Sequence, residues 1–397
     1  MPETINKITE TLLNHIQALA TTIGPRPPTR HGERQAADYA SQQLESKGYQ
    51  PTMEHFKSAT SIYHPHLITA VFMLLAFFIY PLFGRVSAAV AAVMSLVAVL
   101  SDLLELSFIS NPLRWITPKG ESQNVFATLD PQQDHRQDLI LVGHLDTHQT
   151  GKIFSSPGWL KSFQAFTFIA FALLCIQGIL FLVGIFTQWD WLWYASIPSA
   201  LAALSLLILF YEANRAPFTP GANDNATAVA MVLTLAETLS DQPLQHTRVW
   251  FALTGCEEVQ QYGMIDFIKR HKSDWTDPKV LVFEMLGVAG PAWLTKEGII
   301  VPFKPDKELL QMVETIAEEN PELGAYPSFI VGGNSETAQA RQAGLPAITF
   351  FGLTPEGEAP YWHQLADTPD KMNPDVLWRT YQLTELFIEK LDSCAKR

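Results

Sequence analysis

The side chains best suited to chemistry in this sequence stand where apolar runs stop. Leu253-Thr254-Gly255-Cys256-Glu257-Glu258 closes an apolar, β-branched run over 247–253. Two neighbouring carboxylates repel, so a cation usually compensates them. One carboxylate binding a metal while its neighbour moves a proton accounts for the pair; a solvated helix N-terminus is the plainer alternative. His144-Leu145-Asp146 ends another apolar run. In an extended segment residues i and i+2 face one side, so Asp146 can support His144. A metal-bound imidazole commonly donates its second nitrogen to a carboxylate or carbonyl. Asp224 lies in the turn Gly221-Ala222-Asn223-Asp224-Asn225, where alone it reads as a helix cap. Glu284 interrupts an apolar strand end, where an unpaired carboxylate is costly. His363 sits in Tyr361-Trp362-His363-Gln364, where a lone histidine among aromatics reads as packing.

Taken together, His144, Asp224, Glu258, Glu284 and His363 offer nitrogen and oxygen ligands. That donor set suits zinc, with Mn2+ or Co2+ as less specific options. It is too large for one catalytic zinc with an open position. It suits two ions bridged by a carboxylate, leaving Glu257 as base and Asp146 as orienter.

Such residues need rigid elements behind them. The pattern predicts helices over 1–23, 29–47, 226–239, 261–272, 306–319, 336–343 and 373–391. It predicts strands over 49–56, 122–129, 138–142, 247–253, 279–283, 326–331 and 347–351. Strands alternating with helices imply an α/β fold, a central sheet with helices on both faces. Reactive groups in such folds gather beyond the carboxyl ends of the strands, where His144, Glu257 and Glu284 all stand.

Two apolar blocks interrupt this pattern. The first, about 67–108, breaks at Pro81-Leu82-Phe83-Gly84-Arg85; the second, about 163–211, breaks at Thr187-Gln188-Trp189-Asp190. Each reads as a transmembrane helical hairpin, with spans over 67–80, 86–104, 163–186 and 192–210. Crossing a bilayer takes about 20 apolar residues, and the first span is the shortest. Trp189, Trp191, Trp193 and Tyr194 cluster at the second break like an interfacial belt. The expected organisation is a discontinuous polar domain, 1–65 with 109–162 and 212–397, and hairpins at 66–108 and 163–211. Even numbers of crossings put all polar sequence on one side of a lipid bilayer. Lys57, Arg114, Lys119, Lys152, Lys161 and Arg215 flank the spans there, against Arg85 alone at the tips. The positive-inside rule then places the polar domain in the cytoplasm.

Composition narrows the partners. A net charge of -13 over 397 residues argues against nucleic acid. Cys175, Cys256 and Cys394 are too far apart for a disulfide framework or a structural zinc site. Residues 1–24 lack a basic stretch followed by an apolar core, so no signal peptide is expected.

With these pieces in view, the sequence resembles the di-zinc aminopeptidases and glutamate carboxypeptidases, a co-catalytic metallopeptidase family that also includes glutaminyl cyclases. The resemblance rests on Ile23-Gly24-Pro25-Arg26, Gly143-His144-Leu145-Asp146, Gly221-Ala222-Asn223-Asp224-Asn225-Ala226-Thr227-Ala228, Gly255-Cys256-Glu257-Glu258, Phe283-Glu284-Met285-Leu286-Gly287, and His363 with Asp367-Thr368, in the family's order. It implies a zinc exopeptidase fold with a mixed sheet and a peptide substrate. It implies two Zn2+, one held by His144 and Glu284, the other by Glu258 and His363, with Asp224 between them. Glu257 would take a proton from water and pass it to the leaving amine, while Asp146 holds the imidazole of His144.

Four features depart from the family pattern. Glu284 stands where Asp is usual. Trp362 precedes His363 where Tyr often steadies the oxyanion, with Tyr361 one place earlier. Ser335-Glu336-Thr337 replaces Ser-Asp-His before Gly344-Leu345-Pro346. The apolar hairpins interrupt the catalytic domain itself. A membrane zinc aminopeptidase is the leading expectation. A glutaminyl-cyclase-like aminoacyltransferase with one zinc, and a non-catalytic membrane scaffold keeping the fold, are the alternatives.

Overall fold

Eight strands build one mixed sheet: β1 (Thr52–Ala59), β2 (Lys119–Leu129), β3 (Gln137–His144), β4 (Thr247–Thr254), β5 (Lys279–Glu284), β6 (Ala292–Leu294), β7 (Tyr326–Ser328) and β8 (Ala347–Phe351). The computed structural model describes residues 3–395, so Met1 and Pro2 of the expected first helix lie outside the described residues. Sheet order is β1-β2-β4-β3-β5-β8-β6-β7. β4, β3, β5 and β8 run parallel at its centre, flanked by antiparallel pairings of β1 with β2, β2 with β4 and β6 with β8.

Strand alternation decides which helix covers which face. Leu139, Leu141, Val249, Phe251, Leu281, Phe283, Ile348 and Phe350 point into one core. The helices Glu3–Gln17, His31–Ser46, Thr227–Asp241, Lys307–Glu319 and Pro374–Cys394 contribute Ile16, Leu44, Val232, Val313 and Phe387 to it. Ile140, Val142, Trp250, Ala252, Val280 and Val282 face the other way, against Met264 and Phe267 of Tyr262–His271 and Ala340 of Thr337–Gln342. Because β3, β4 and β5 are parallel neighbours, their carboxyl ends align. Register pairs His144 with Thr254, and Val142 with Val282 two residues before Glu284.

The chain divides into two compact units, residues 1–60, 119–148 and 218–397 in one, residues 61–118 and 149–217 in the other. The second takes in 61–65, 109–118, 149–162 and 212–217 besides the apolar spans. Two of its helices, Arg85–Leu106 and Pro157–Thr187, are long and apolar enough to cross a membrane. Tyr63–Ile79 and Ile197–Ala213 are apolar but have 17 residues each, below the length of about 20 that spans a bilayer without thinning. The expected helix over 192–210 is broken at Ser196 into Trp191–Ala195 and Ile197–Ala213. Pro198 lacks an N–H and suits the first turn of a new helix.

Packing within this unit is inverted relative to a water-soluble bundle. Ala76, Ala88, Ala91, Ala98, Ala202 and Ala203 are buried, whereas Phe78, Val93, Ile169, Phe186, Leu201 and Ile208 are each about 60% exposed or more. Small residues at helix contacts with large apolar ones outside is the pattern of helices packed in lipid. Gly184 shows how close the contact is: a Cβ there would lie 2.1 Å from the Tyr80 hydroxyl.

One strand expectation needs correction, and one strand was not foreseen. The run 326–331 is a strand only over Tyr326–Ser328; the Gly332-Gly333 pair beyond it favours a turn. Ala292–Leu294 is a strand that carries no sequence signal, because three residues are too few to show alternation.

Candidate metal centre

The local backbone explains why these side chains converge. β3 delivers His144 at its last residue, and the chain then turns so that the Asp146 carbonyl accepts from His144 Nδ1 at 3.1 Å. The Asp146 carboxylate has a second task besides the expected one, its Oδ1 lying 3.4 Å from His144 Nδ1. Its two oxygens accept from Glu257 N and Glu258 N, both at 3.0 Å. Asp146 therefore meets the imidazole through both its carbonyl and its carboxylate, and holds the glutamate pair through the carboxylate alone. The turn that carries the pair has Cys256 at φ +54. Buried Glu33 braces that turn by accepting from Cys256 N (2.8 Å), Thr29 N (2.8 Å) and Ser122 Oγ (2.9 Å).

Asp224 sits in the turn before helix Thr227–Asp241, with non-helical backbone at Asp224 and Asn225. Asp367 anchors that turn, its two carboxylate oxygens accepting from Asn223 N (2.7 Å) and Asp224 N (3.0 Å). Asn225 Nδ2 donates to Glu284 Oε2 at 2.7 Å and fixes that carboxylate. Arg26 is fully buried behind the site. Its guanidinium donates to the carbonyls of Leu145 (2.8 Å), Pro220 (2.9 Å) and Gly221 (2.8 Å), tying the loops of His144 and Asp224 together.

All five expected ligands come together. His144 Nε2 lies 3.4 Å from Asp224 Oδ1 and 3.6 Å from Glu284 Oε2. His363 Nε2 lies 3.3 Å from Asp224 Oδ2 and 3.3 Å from Glu258 Oε2. Donors about 2.1 Å from one tetrahedral zinc stand about 3.4 Å apart, which is the observed spacing. The two oxygens of Asp224 face different histidines. Asp224 Oδ2 and Glu258 Oε1 are buried without a hydrogen-bond partner, a costly state that a cation relieves. The donor set therefore fits the expected metal on spacing and on charge.

His148 joins this cluster and was not assigned a role from the sequence. Its ring stacks on His363 with centroids 3.8 Å apart and planes 8° apart. His148, Glu258 and His363 each place a donor atom within 4.8 Å of the others, as do His144, Asp224 and Glu284. The signal was there: His148 follows His144 by four residues in the same strand-end segment. Tyr361 and Trp362 are both half-buried. Trp362 tilts against His363 at 4.6 Å and packs on the Met285, Ile330 and Leu353 cluster. Tyr361 and His363 have φ of +62 and +53.

Burial and crowding set the protonation. Burial pushes Glu257 well above the usual carboxylate range; His144 opposes this, while Glu284, Glu258 and Glu336 add to it. Burial likewise raises Glu258, to about 7, and Glu284. Asp224 goes the other way: burial opposes its ionisation, but the imidazoles of His144 and His363 beside it outweigh that. Burial also opposes charging of His144, yet Glu284, Asp146 and Asp224 raise it well above its ordinary value.

Residues 210–388 match the sequence profile of peptidase family M28. That stretch, less than half of the chain, is similar to the family. Aminopeptidase YwaD of Bacillus subtilis (strain 168) is 25% identical over 166 residues, 41% of this chain and 35% of that protein. The matched part thus spans about a third of that relative's length. Among solved structures, the aminopeptidase from Aneurinibacillus sp. strain AM-1 superposes with a TM-score of 0.57 at 16% identity, covering 96% of this chain and 93% of that one. The Fimbriiglobus ruber glutaminyl cyclase reaches 0.55 at 13% identity, covering 96% and 94%. These likenesses establish that the fold is shared with these two proteins.

Proposed function

We propose that the protein is a zinc-dependent exopeptidase of the aminopeptidase type, working on peptides with two metal ions. One observation carries this reading: Asp224 presents one oxygen to each of two histidines, and Glu257 Oε2 lies 3.9 Å from His144 Nε2. His144, Asp224 and Glu284 would hold one ion; Glu258, His363 and Asp224 would hold the other. When bound, such ions acidify a water and polarise a carbonyl. The chain's own residues do the rest. Glu257, as the carboxylate, accepts a proton from water and returns it to the departing amine. Asp146 and Glu33 keep the Glu257–Glu258 turn in place while that proton moves. Tyr361 and Trp362, the two residues before His363, would meet the substrate. Purified protein should release p-nitroaniline from amino-acid anilides, and a chelator or Glu257→Gln should stop it. Hydrolysis indifferent to both sinks the proposal. The cyclase reading draws on the fold shared with the glutaminyl cyclase; a stoichiometry near one metal and a cyclised N-terminal glutamine as product would favour it.

We further propose that the apolar unit crosses a lipid bilayer four times, with the catalytic domain on the cytoplasmic side. The inverted packing of small and large residues supports membrane residence, and the Lys and Arg count at the span ends supports the orientation. The two 17-residue helices need local thinning or tilt of their neighbours, both modest in cost. A cysteine placed at Phe83 should be labelled only by reagent added outside intact cells.

A further inference from the structure

The turn after the glutamate pair contains a side chain that neither folding nor metal binding accounts for. Gln260 and Gln261 follow one another with φ of +75 and +59. Left-handed backbone at two consecutive non-glycine residues is unfavourable, and glycine would adopt it freely. Gln261 precedes helix Tyr262–His271 at the cap position, yet its side chain does not cap that helix. It is fully buried, and its Oε1 has no hydrogen-bond partner. A leucine would fill similar space without burying an unsatisfied acceptor. For stability alone, Gln261 is a poor choice.

Its carboxamide Nε2 points instead at Glu257. It donates to Glu257 Oε1 at 3.2 Å and to the Asn334 carbonyl at 3.2 Å. The Gln261 backbone N–H also donates to the Glu257 carbonyl at 2.7 Å. The side-chain contact divides the labour between the two oxygens of Glu257. Oε1 is tied to Gln261, while Oε2 is the oxygen facing His144 Nε2. Anchoring one oxygen and a carbonyl across the turn fixes the carboxylate's torsion, so the other oxygen stays aimed at the metal cluster. A small misplacement of a reacting group is expensive in rate.

We propose that Gln261 is the positioning residue for the base Glu257, holding Oε1 so that Oε2 receives the proton. This rests on the hydrolase reading above. It is tested on full-length, zinc-loaded protein with leucine p-nitroanilide. Gln261→Leu should lower kcat about tenfold while KM stays within about twofold. Its melting temperature only shows that the variant is folded, since it loses an unsatisfied acceptor but also the donor to Glu257 and Asn334; the split of kcat from KM is the readout that a merely structural glutamine would not move. Gln261→Met, of the same length without the donor, serves if the leucine variant misfolds. In a Glu257→Asp background, whose shorter arm withdraws from Gln261, adding Gln261→Leu should change kcat less than about twofold. An undiminished kcat in Gln261→Leu, or equal losses in both backgrounds, overturns the proposal. Full activity of Glu257→Gln is a separate result that overturns the hydrolase reading instead.

Discussion

Two regions of this protein bury several charges, and they do so differently. In the apolar unit, Glu105 and Arg114 are 0% and 5% exposed at their side chains. Arg114 Nε donates to both Glu105 oxygens, at 2.8 and 3.1 Å, and Asn111 Nδ2 adds a bond to Glu105 at 2.8 Å. Asp102 pairs with His66 at 2.9 Å. Each acid has its own protein partner. In the polar unit, Asp146, Asp224, Glu257, Glu258 and Glu284 crowd together with Arg26 as the permanent cation nearby, and two of their oxygens have no hydrogen-bond partner. Matched charges hold a fold together; an unmatched surplus of one sign leaves room for a missing ion. The contrast is electrostatic and can be broken by experiment.

The largest effect should come from taking the ions away. A chelator should abolish anilide hydrolysis and also lower the melting temperature, because ions bound only by the native state stabilise it by mass action. Adding zinc back should restore both. A melting temperature indifferent to chelation means the acidic surplus is not balanced by metal. Next comes Glu257→Gln, which keeps the shape and removes the base. Its kcat should fall by about 10² to 10⁴, with zinc content by atomic absorption unchanged. Loss of zinc in that variant would move Glu257 from base to ligand.

The paired region should answer in the opposite currency. Arg114→Met leaves Glu105 buried and alone, at a cost of about 3–5 kcal/mol. It should lower the melting temperature in detergent while zinc content and kcat per folded molecule hold. Replacing both partners, Glu105→Leu with Arg114→Met, should recover most of the loss, since an apolar pair of similar volume is often neutral. A double replacement as damaged as the single one would mean the pair does more than cancel itself.

How much of this was legible beforehand follows the same division. The central strands were readable because each buries both faces or alternates cleanly, as 247–253 and 279–283 do. His144, Glu257, Glu258 and Glu284 were readable as polar residues at the ends of apolar runs, whereas Asp224 and His363 gained a role only as members of the whole set. What escaped was support supplied at long range. Asp367 anchors Asp224 from 143 residues away and Glu33 braces Cys256 from 223 away, and nothing local in the sequence announces either contact. The second task of the Asp146 carboxylate escaped for a related reason. Spacing showed that it could reach His144, but only folding shows that the Glu257 and Glu258 amides claim it.

Glu297 shows a third way to bury an acid and gives the smallest effect. It accepts from Ser335 N (2.9 Å) and Ser335 Oγ (2.8 Å), and its Oε1 is buried without a partner. Burial raises it from 4.5 to about 8, with the Ser335 bonds opposing and Glu284 adding to the rise. Here a proton, rather than arginine or metal, removes the charge. Between 4.5 and about 8 the folded chain keeps that proton while the unfolded chain has released it. The stability it contributes is therefore complete below 4.5 and lost as pH climbs through the window, at no more than about 1.4 kcal/mol per pH unit. Glu33 and Glu336, also raised to about 8 by burial, share the window. Glu297→Gln keeps both Ser335 bonds and cannot ionise. Its melting temperature, followed from pH 5 to 8 with zinc saturating, should fall less steeply than that of the wild type. Parallel curves would mean that Glu297 is already ionised in the folded chain, and its unpartnered oxygen would then belong with the unmatched acids of the metal centre.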